Sequence, residues 1–242
     1  MKKSTLSLLV FSSYLLVCLL LSSCRFNGNG NVEFGYQHPD RYSVGDATIE
    51  QPVSDISVDW FSGSVNICYS DNPEVRIYEE ADTTLNDTLR MRHYVDEDGT
   101  LNIQFCQNGI SFNSKKLKKL QKRLTIEVPR SISLDEIEID AVNVDVDIDS
   151  VVSRELTVDG VNSNVTAFYP TLPDEIHIDG VNSKLTLHMP PTAGATVDMD
   201  GVNTDFHSDL PTGKTGKKHT LGDGKCDLDI DAVNGSLNIK SL

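Results

Sequence analysis

A pentapeptide pattern that occurs five times in the second half of the chain constrains the fold more than any other feature. Each copy consists of an apolar residue, Asp, Gly or Ala, Val and Asn, and successive asparagines are 19, 20, 21 and 31 residues apart. The copies are Ile139–Asn143, Val158–Asn162, Ile178–Asn182, Met199–Asn203 and Ile230–Asn234. Five copies in one register indicate repeated structural units.

The residues around each pentapeptide alternate between apolar and polar types, which is the period of a β-strand. In the first copy, Ile137 precedes the pentapeptide, and Val146 and Ile148 follow its asparagine. Each unit is therefore predicted to form two short strands joined by a turn at Gly/Ala-Val-Asn. Because such a unit cannot bury its apolar side alone, the units are expected to stack, with equivalent residues about 4.8 Å apart.

Stacking would place equivalent polar residues of the five units in columns. An amide ladder on left-handed turn residues is predicted for Asn143, Asn162, Asn182, Asn203 and Asn234. A carboxylate column is predicted for Asp140, Asp159, Asp179, Asp200 and Asp231. This column is a candidate Ca²⁺ site, and the alternative is that each carboxylate accepts hydrogen bonds from the backbone of its own turn. Within the Gly/Lys-rich insertion 213–224, the segment Gly213-Lys214-Thr215 is expected to be a flexible loop.

The first 24 residues have the pattern of an export signal that ends in a lipid-attachment cysteine. Met1-Lys2-Lys3 is positively charged, Leu6 to Leu21 is mostly apolar, and small residues precede Cys24. This pattern resembles the lipobox of bacterial lipoproteins. The resemblance implies that residues 1–23 are removed and that Cys24 carries fatty acyl chains such as palmitate; the alternative is an uncleaved membrane anchor. Residues 24–48 are expected to be a flexible tether.

The segment after Cys24 also indicates on which side of the outer membrane the protein is expected. An acidic run there would resemble the surface-export signal of Bacteroidetes lipoproteins, and this chain lacks one. The expected location is therefore the cell envelope, at the periplasmic face of the outer membrane, with the cell surface as the alternative.

The chain is acidic, with a formal net charge of −15. A surface of this sign argues against nucleic acid as a partner, because phosphate binding needs a basic stripe. The one basic run, residues 115–123, is interpreted as a solvated loop or short helix, and contact with anionic lipid or glycan is the alternative. No cofactor motif and no catalytic constellation are found, so an enzyme is not expected.

Cysteines and histidines are the residue types that most often bind zinc, and cysteines can also form disulfides. Cys68 and Cys106 each follow a short β run and are a candidate disulfide in an oxidising compartment, with two free thiols as the alternative. Neither the cysteines nor the six histidines show the spacing of a metal site, so zinc is not expected.

Three segments in order carry a resemblance to a known family: Gly63–Ile67, Leu124–Pro129 and the Asp-Gly-Val-Asn units. Over residues 50–242 the chain resembles the β-strand-repeat "putative adhesin" domains of bacterial exported proteins. The resemblance implies an all-β, single-stranded parallel β-helix-like solenoid. Residues 49–133 would form irregular β coils, and residues 134–242 would form regular coils of about 20 residues.

The function expected from these features is that of a membrane-anchored envelope lipoprotein. It would act without catalysis, as an adhesin-like binding or structural scaffold for an unknown protein or glycan ligand. The alternative is a carbohydrate-active β-helix enzyme, either a polysaccharide lyase or a hydrolase. A groove lined by paired carboxylates and aromatic residues would favour that alternative.

Overall fold

A computed structural model describes residues 24–26, 31–117 and 119–242. The expected signal segment 1–23 lies outside the described residues. The described residues are all-β apart from one helical turn, α1 (Ser114–Leu117). Within the described ranges, no helix is both long enough and apolar enough to cross a membrane.

Most strands belong to two large sheets of mixed strand direction. The eleven-stranded sheet contains, in spatial order, β20 (Thr212–Thr215), β21 (Lys218–Leu221), β18 (Ala195–Val202), β22 (Cys226–Val233), β16 (Glu175–Val181), β14 (Ser153–Val161), β12 (Leu134–Val142), β5 (Asp55–Trp60), β9 (Thr100–Gln104), β8 (Arg92–Val95) and β3 (Ser43–Val44). The nine-stranded sheet contains β19 (Asp205–Ser208), β23 (Ser236–Ser241), β17 (Lys184–Met189), β15 (Asn164–Phe168), β13 (Val144–Asp149), β6 (Gly63–Ser70), β11 (Lys122–Pro129), β7 (Val75–Ala81) and β4 (Ala47–Ile49).

Each sequence repeat contributes one strand to each large sheet. The first repeat forms β12 and β13, which pair in parallel and in register with β14 and β15 of the second repeat. Apolar residues of both strands alternate inward, so that Ile137 and Leu156 are fully buried. Side chains between them point outward, because successive residues of a strand face opposite sides.

The spatial order of the repeats differs from their order in the sequence. β22 of the last repeat pairs in parallel with β16 on one side and with β18 on the other. Likewise, β23 lies between β17 and β19. The last repeat is therefore inserted between the third and the fourth.

The insertion before the last repeat forms a hairpin, and residues 213–215 belong to its first strand, so their interpretation as a flexible loop is wrong. β21 pairs antiparallel with β20 and also with the start of β18, at Ala195–Val197. The hairpin extends the eleven-stranded sheet beyond the fourth repeat. It occupies the stretch of chain that returns from the fourth repeat to the position of the fifth.

The irregular first half continues both large sheets. β5 and β6 pair in parallel with β12 and β13 of the first repeat, and they therefore act as an additional unit of the stack. Beyond them, β9 runs parallel to β5, and β11 runs parallel to β6. The remaining strands there, β3, β4, β7 and β8, pair antiparallel.

The expectation of a flexible tether over residues 24–48 is wrong for the described part of that range. A three-stranded sheet consists of β1 (Cys24–Phe26), β2 (Asn31–Phe34) and β10 (Ser111–Asn113). Val32 and Phe34 are buried, and the Phe34 ring lies 5.7 Å from Phe61 and 5.9 Å from Phe105 between centroids. Burial of these side chains fixes the segment against the core.

Lys122, from the basic run, lies in the core beside this aromatic cluster. Its ammonium nitrogen is 2.6 Å from a carboxylate oxygen of Glu79, and both side chains are almost completely buried. It also donates hydrogen bonds to the carbonyl oxygens of Leu89 and Phe105, and it lies 4.8 Å from the ring centroid of Trp60. These contacts replace the hydration that the ammonium loses on burial. The basic run is thus only partly a solvated segment.

Candidate functional site

The outer face of the eleven-stranded sheet carries three adjoining columns of side chains, most of them acidic, which we call the acidic face. The first column contains Asp55, Glu136, Glu155, Glu175 and Asp227. The second column contains Glu138, His177, Asp229 and Asp198, together with Ser57 and Thr157. The third column contains Asp59, Asp140, Asp159, Asp179, Asp231 and Asp200.

The structure brings all five repeat aspartates together in the third column. Their spatial order follows the strands, so Asp231 lies between Asp179 and Asp200. A sixth member, Asp59, continues the column beside Asp140. Sequence reasoning did not include Asp59, although the alternation of Ile56-Ser57-Val58-Asp59 matches that of the repeats.

Close packing of these carboxyl groups changes their protonation. Burial raises the pKa of Asp140, and the adjacent Asp59 carboxyl group, which hydrogen-bonds to it, raises it further. Burial and the charge of Asp179 raise the pKa of Asp159 to about 6. The pKa of Asp179 is raised by burial and by Asp231. A carboxyl–carboxyl hydrogen bond needs a shared proton, so Asp140 and Asp59 are not both ionised while this bond is present.

The five predicted ladder asparagines also form one continuous row, along the corner between the two large sheets. The side-chain nitrogen of Asn162 donates to Asn143 at 3.0 Å, and that of Asn182 donates to Asn162 at 2.7 Å. Asn234 donates to Asn182, and Asn203 donates to Asn234, each at 2.9 Å. All five residues have φ between 55° and 60°. Asn tolerates this left-handed conformation better than most residues.

The residue two positions before each asparagine is Gly or Ala, and it does not need the left-handed conformation in every repeat. Gly180 and Gly201 have φ of 149° and 118°, and an added Cβ would lie about 2 Å from the carbonyl oxygens of Gly160 and Ala232, respectively. Ala141 and Ala232 occupy the equivalent position in the first and last repeats, where they are buried. The left-handed residue common to all five turns is therefore Asn.

Basic side chains meet the acidic face at the end formed by the fourth repeat. Lys218 lies 3.1 Å from Asp198, and Lys217 lies 3.8 Å from Asp200. Both lysines belong to the β20–β21 hairpin. The hairpin therefore places positive charge beside the last carboxylates of the stack.

One histidine lies within the acidic face. His177 Nε2 is 3.2 Å from a carboxylate oxygen of Glu175 and 4.0 Å from one of Glu155. Ligand atoms of these three residues all lie within 4.8 Å of one another. Sequence reasoning missed this group because its members are on two strands. The signal that could have found it is that Glu155 and Glu175 occupy the same position in successive repeats.

The outer face of the nine-stranded sheet differs from the acidic face because it carries acidic, basic and neutral polar side chains. Its first column contains Ser64, Asp145, Asn164, Lys184, Ser236 and Asp205. Asn164 donates a hydrogen bond to Asp145 at 2.7 Å, and the Phe168 ring stacks on His188 with centroids 4.2 Å apart. Carboxylates are thus concentrated on the eleven-stranded sheet.

Of the two alternatives for Cys68 and Cys106, the structure has the free thiols and not the disulfide, and Cys226 is also a free thiol. Cys68 lies on β6 in the nine-stranded sheet, whereas Cys106 is buried just after β9 of the eleven-stranded sheet. Burial raises the pKa of the Cys106 thiol to about 12. For Cys24, the expected lipid-attachment residue, the structure describes only the backbone, which pairs with Phe34.

No protein-family model matches the chain, and no curated protein matches its sequence. Among solved structures, the chain is similar to "a putative cell adhesion protein" from Clostridium sporogenes, with a TM-score of 0.64 and 14% identity over 83% of this chain and 100% of that one. A "putative adhesin" from Bacteroides fragilis aligns with a TM-score of 0.36 and 14% identity, over 82% of this chain and 97% of that one. The chain therefore has the fold of the solved Clostridium sporogenes protein, and the resemblance inferred from the sequence is confirmed at the level of fold.

Proposed function

We propose that this chain is a lipid-anchored protein of the bacterial envelope that binds a partner of basic surface through its acidic face, as an adhesin-like scaffold without catalytic activity. The observation that carries the proposal is the alignment of the three acidic columns over successive parallel strands. Charges fixed on a rigid sheet attract an oppositely charged surface and set its orientation.

We further propose that the repeats, together with the β5–β6 unit, form a parallel β-helix-like solenoid that serves as the scaffold. In-register parallel pairing of consecutive units and the asparagine row support this architecture. In a scaffold of this kind the binding groups are already ordered before a partner binds, so binding costs little conformational entropy.

The proposed anchor is the acylated Cys24, at the periplasmic face of the outer membrane. Several acyl chains hold a protein on a membrane far more stably than one. We expect Cys24→Ala to move the protein from the membrane fraction to the soluble fraction, whereas Cys68→Ser should leave it in the membrane. Retention of Cys24→Ala in the membrane would contradict the anchor.

A binding role is also favoured over the carbohydrate-active enzyme by the position of the single tryptophan. Trp60 is only 2% exposed and packs beside Phe105 and Lys122, so it cannot serve as a stacking platform for a sugar. The acidic face itself consists of carboxylates, hydroxyls and one imidazole.

The binding proposal is tested with poly-L-lysine as a basic probe and two variants of equal net charge. Asp179→Asn/Asp229→Asn/Asp231→Asn removes three charges from the acidic face. The control, Asp145→Asn/Asp147→Asn/Asp149→Asn, removes three exposed charges from the nine-stranded sheet. We expect the first variant to bind at least ~10-fold more weakly, and the control to bind nearly as the wild type does. Equal losses in both variants would show that only net charge matters, and would overturn the proposal.

A further inference from the structure

His177 occupies a position in which both of its ring nitrogens face carboxylates. On one side, Nε2 lies 3.2 Å from Glu175 and 4.0 Å from Glu155. On the other side, Nδ1 lies 3.9 Å from a carboxylate oxygen of Asp229. The imidazole thus lies between a pair of glutamates and a single aspartate.

The first of these groups has the spacing of a metal-ligand set. Ligand atoms bound at about 2.1 Å to one ion lie roughly 3 to 3.5 Å apart in tetrahedral or octahedral geometry. The distance of 3.2 Å between His177 and Glu175 is already in this range. A rotation of the Glu155 side chain, whose exposed fraction is 26%, would close the distance of 4.0 Å.

The second group supplies the support that metal-bound histidines usually have. A histidine that binds a metal through one nitrogen commonly donates the N–H of its other nitrogen to a carboxylate, which fixes the ring and its tautomer. Asp229, on the neighbouring strand β22, lies 3.9 Å from Nδ1, and a small rotation of its half-exposed side chain would allow it to accept that hydrogen bond. The position of Asp229 therefore supports a metal site independently of the two glutamates.

We propose that Glu155, Glu175 and His177 bind a divalent transition-metal ion, with Zn²⁺ as the ion tested, and that Asp229 is a positioning residue for the imidazole. One nitrogen and two carboxylate oxygens suit Zn²⁺, with water completing the coordination. Ca²⁺ prefers oxygen ligands alone, so the imidazole separates this site from a calcium site. The three ligands come from β14 and β16, and the surrounding acidic face attracts the cation.

The proposed Zn²⁺ site goes beyond the proposed function, and the two proposals can be tested independently. The binding of a basic partner depends on the total charge of the acidic face, whereas Zn²⁺ binding depends on one imidazole. The metal site is therefore tested by Zn²⁺ titration of His177→Asn, and partner binding is tested separately by poly-L-lysine titration of the carboxylate variants. A failure of either proposal can be recognised without the other.

The test is a calorimetric titration of the purified full-length protein with Zn²⁺ alone, after treatment with a chelator. We expect a single site that His177→Asn weakens at least ~10-fold, and that Asp229→Asn weakens by roughly 10-fold. His188→Asn, on the nine-stranded sheet, and Cys68→Ser control for binding by an unrelated histidine or thiol, and both should bind as the wild type does. Wild-type binding by His177→Asn, or no binding by the wild type, would overturn the proposal.

A second measurement covers the case in which a variant is poorly folded. Co²⁺ replaces Zn²⁺ in nitrogen–oxygen sites, and its visible absorption depends on the ligands. The wild type loaded with Co²⁺ should lose this absorption when Zn²⁺ is added in competition. Absorption identical to that of free aqueous Co²⁺ would contradict the site.

Discussion

Asn234 donates its side-chain amide to Asn182 at 2.9 Å, across 52 residues of sequence. Asn203 is closer to Asn182 in the sequence, but its side-chain amide donates to the side-chain oxygen of Asn234 instead. This relationship places the last repeat between the third and the fourth. Both the asparagine row and the acidic face are continuous because the last repeat fills that position.

The asparagine row is expected to contribute measurably to stability. Asn182→Ala removes two amide hydrogen bonds and puts a less suitable residue at a φ of 55°. We expect the free energy of unfolding in urea to fall by about 2 to 3 kcal/mol. Asn182→Gly keeps the left-handed conformation and should lose less. The exposed Asn164→Ala serves as a control; a loss equal to that of Asn182→Ala would contradict the assigned role.

The aspartate column should make stability depend on pH. The pKa of Asp159 is raised to about 6, above the value of about 3.9 in an unfolded chain, so its contribution is present at low pH and is lost as the pH rises through about 6. From about pH 5 to about pH 8, the melting temperature of Asp159→Asn should therefore rise relative to that of the wild type. Asp149→Asn controls for the loss of one charge. A difference that is constant with pH would contradict the raised pKa.

The same column is the candidate Ca²⁺ site predicted from the sequence, and melting curves distinguish ion binding there from the alternative that each carboxylate bonds to the backbone of its own turn. Millimolar Ca²⁺ should raise the melting temperature of the wild type, because an ion that binds only the folded state stabilises it. Asp140→Asn/Asp159→Asn should remove the effect, and Asp145→Asn/Asp147→Asn, which removes the same charge, should retain it. Identical melting curves with Ca²⁺ and with chelator would rule out the site.

The ion pair between Lys122 and Glu79 should be the most sensitive polar contact of the N-terminal half. Lys122→Met removes the closer of the two cations at the buried Glu79 carboxylate, leaving Arg90 at 3.9 Å, and should reduce the free energy of unfolding by about 3 to 5 kcal/mol. Lys122→Met/Glu79→Gln should lose less than the sum of the two single variants, because the second change removes the unpaired charge. The exposed pair Arg123 and Glu80, 3.5 Å apart, is the control and should contribute less than about 1 kcal/mol. Additive losses at Lys122 and Glu79 would contradict the pairing.

The repeats could be located from the sequence because alternation with a period of two determines which side chains point inward. Ile137 and Leu156 are buried for this reason, and Asp140 and Asp159 point outward. The order of the repeats could not be predicted, because the repeats have nearly equivalent contact surfaces. The hairpin between the fourth and the last repeat is long enough for the chain to return and place the last repeat beside the third. The strand β2 was not predicted because Val32 and Phe34 are the only apolar residues of the Gly- and Asn-rich segment 27–35.

The candidate site was predicted in part. The aspartate column follows directly from the repeat register, whereas Asp59 belongs to a unit without the turn asparagine. The group around His177 depends on side chains that adjoin only when strands pair in register. Its glutamates are 20 residues apart, so no local spacing of metal ligands reveals it.

The position of the last repeat is tested most directly by cysteine cross-linking in a Cys68→Ser background. Lys184 and Ser236 are register partners on adjacent strands, and Asp205 is the next partner beyond Ser236. A disulfide needs Cα atoms about 4.4 to 6.8 Å apart, a distance met by neighbouring strands but not by strands two apart. We predict that Lys184→Cys/Ser236→Cys forms a disulfide on oxidation, identified by mass spectrometry, and that Lys184→Cys/Asp205→Cys does not. The reverse result would mean that the repeats stack in sequence order, and would contradict the account.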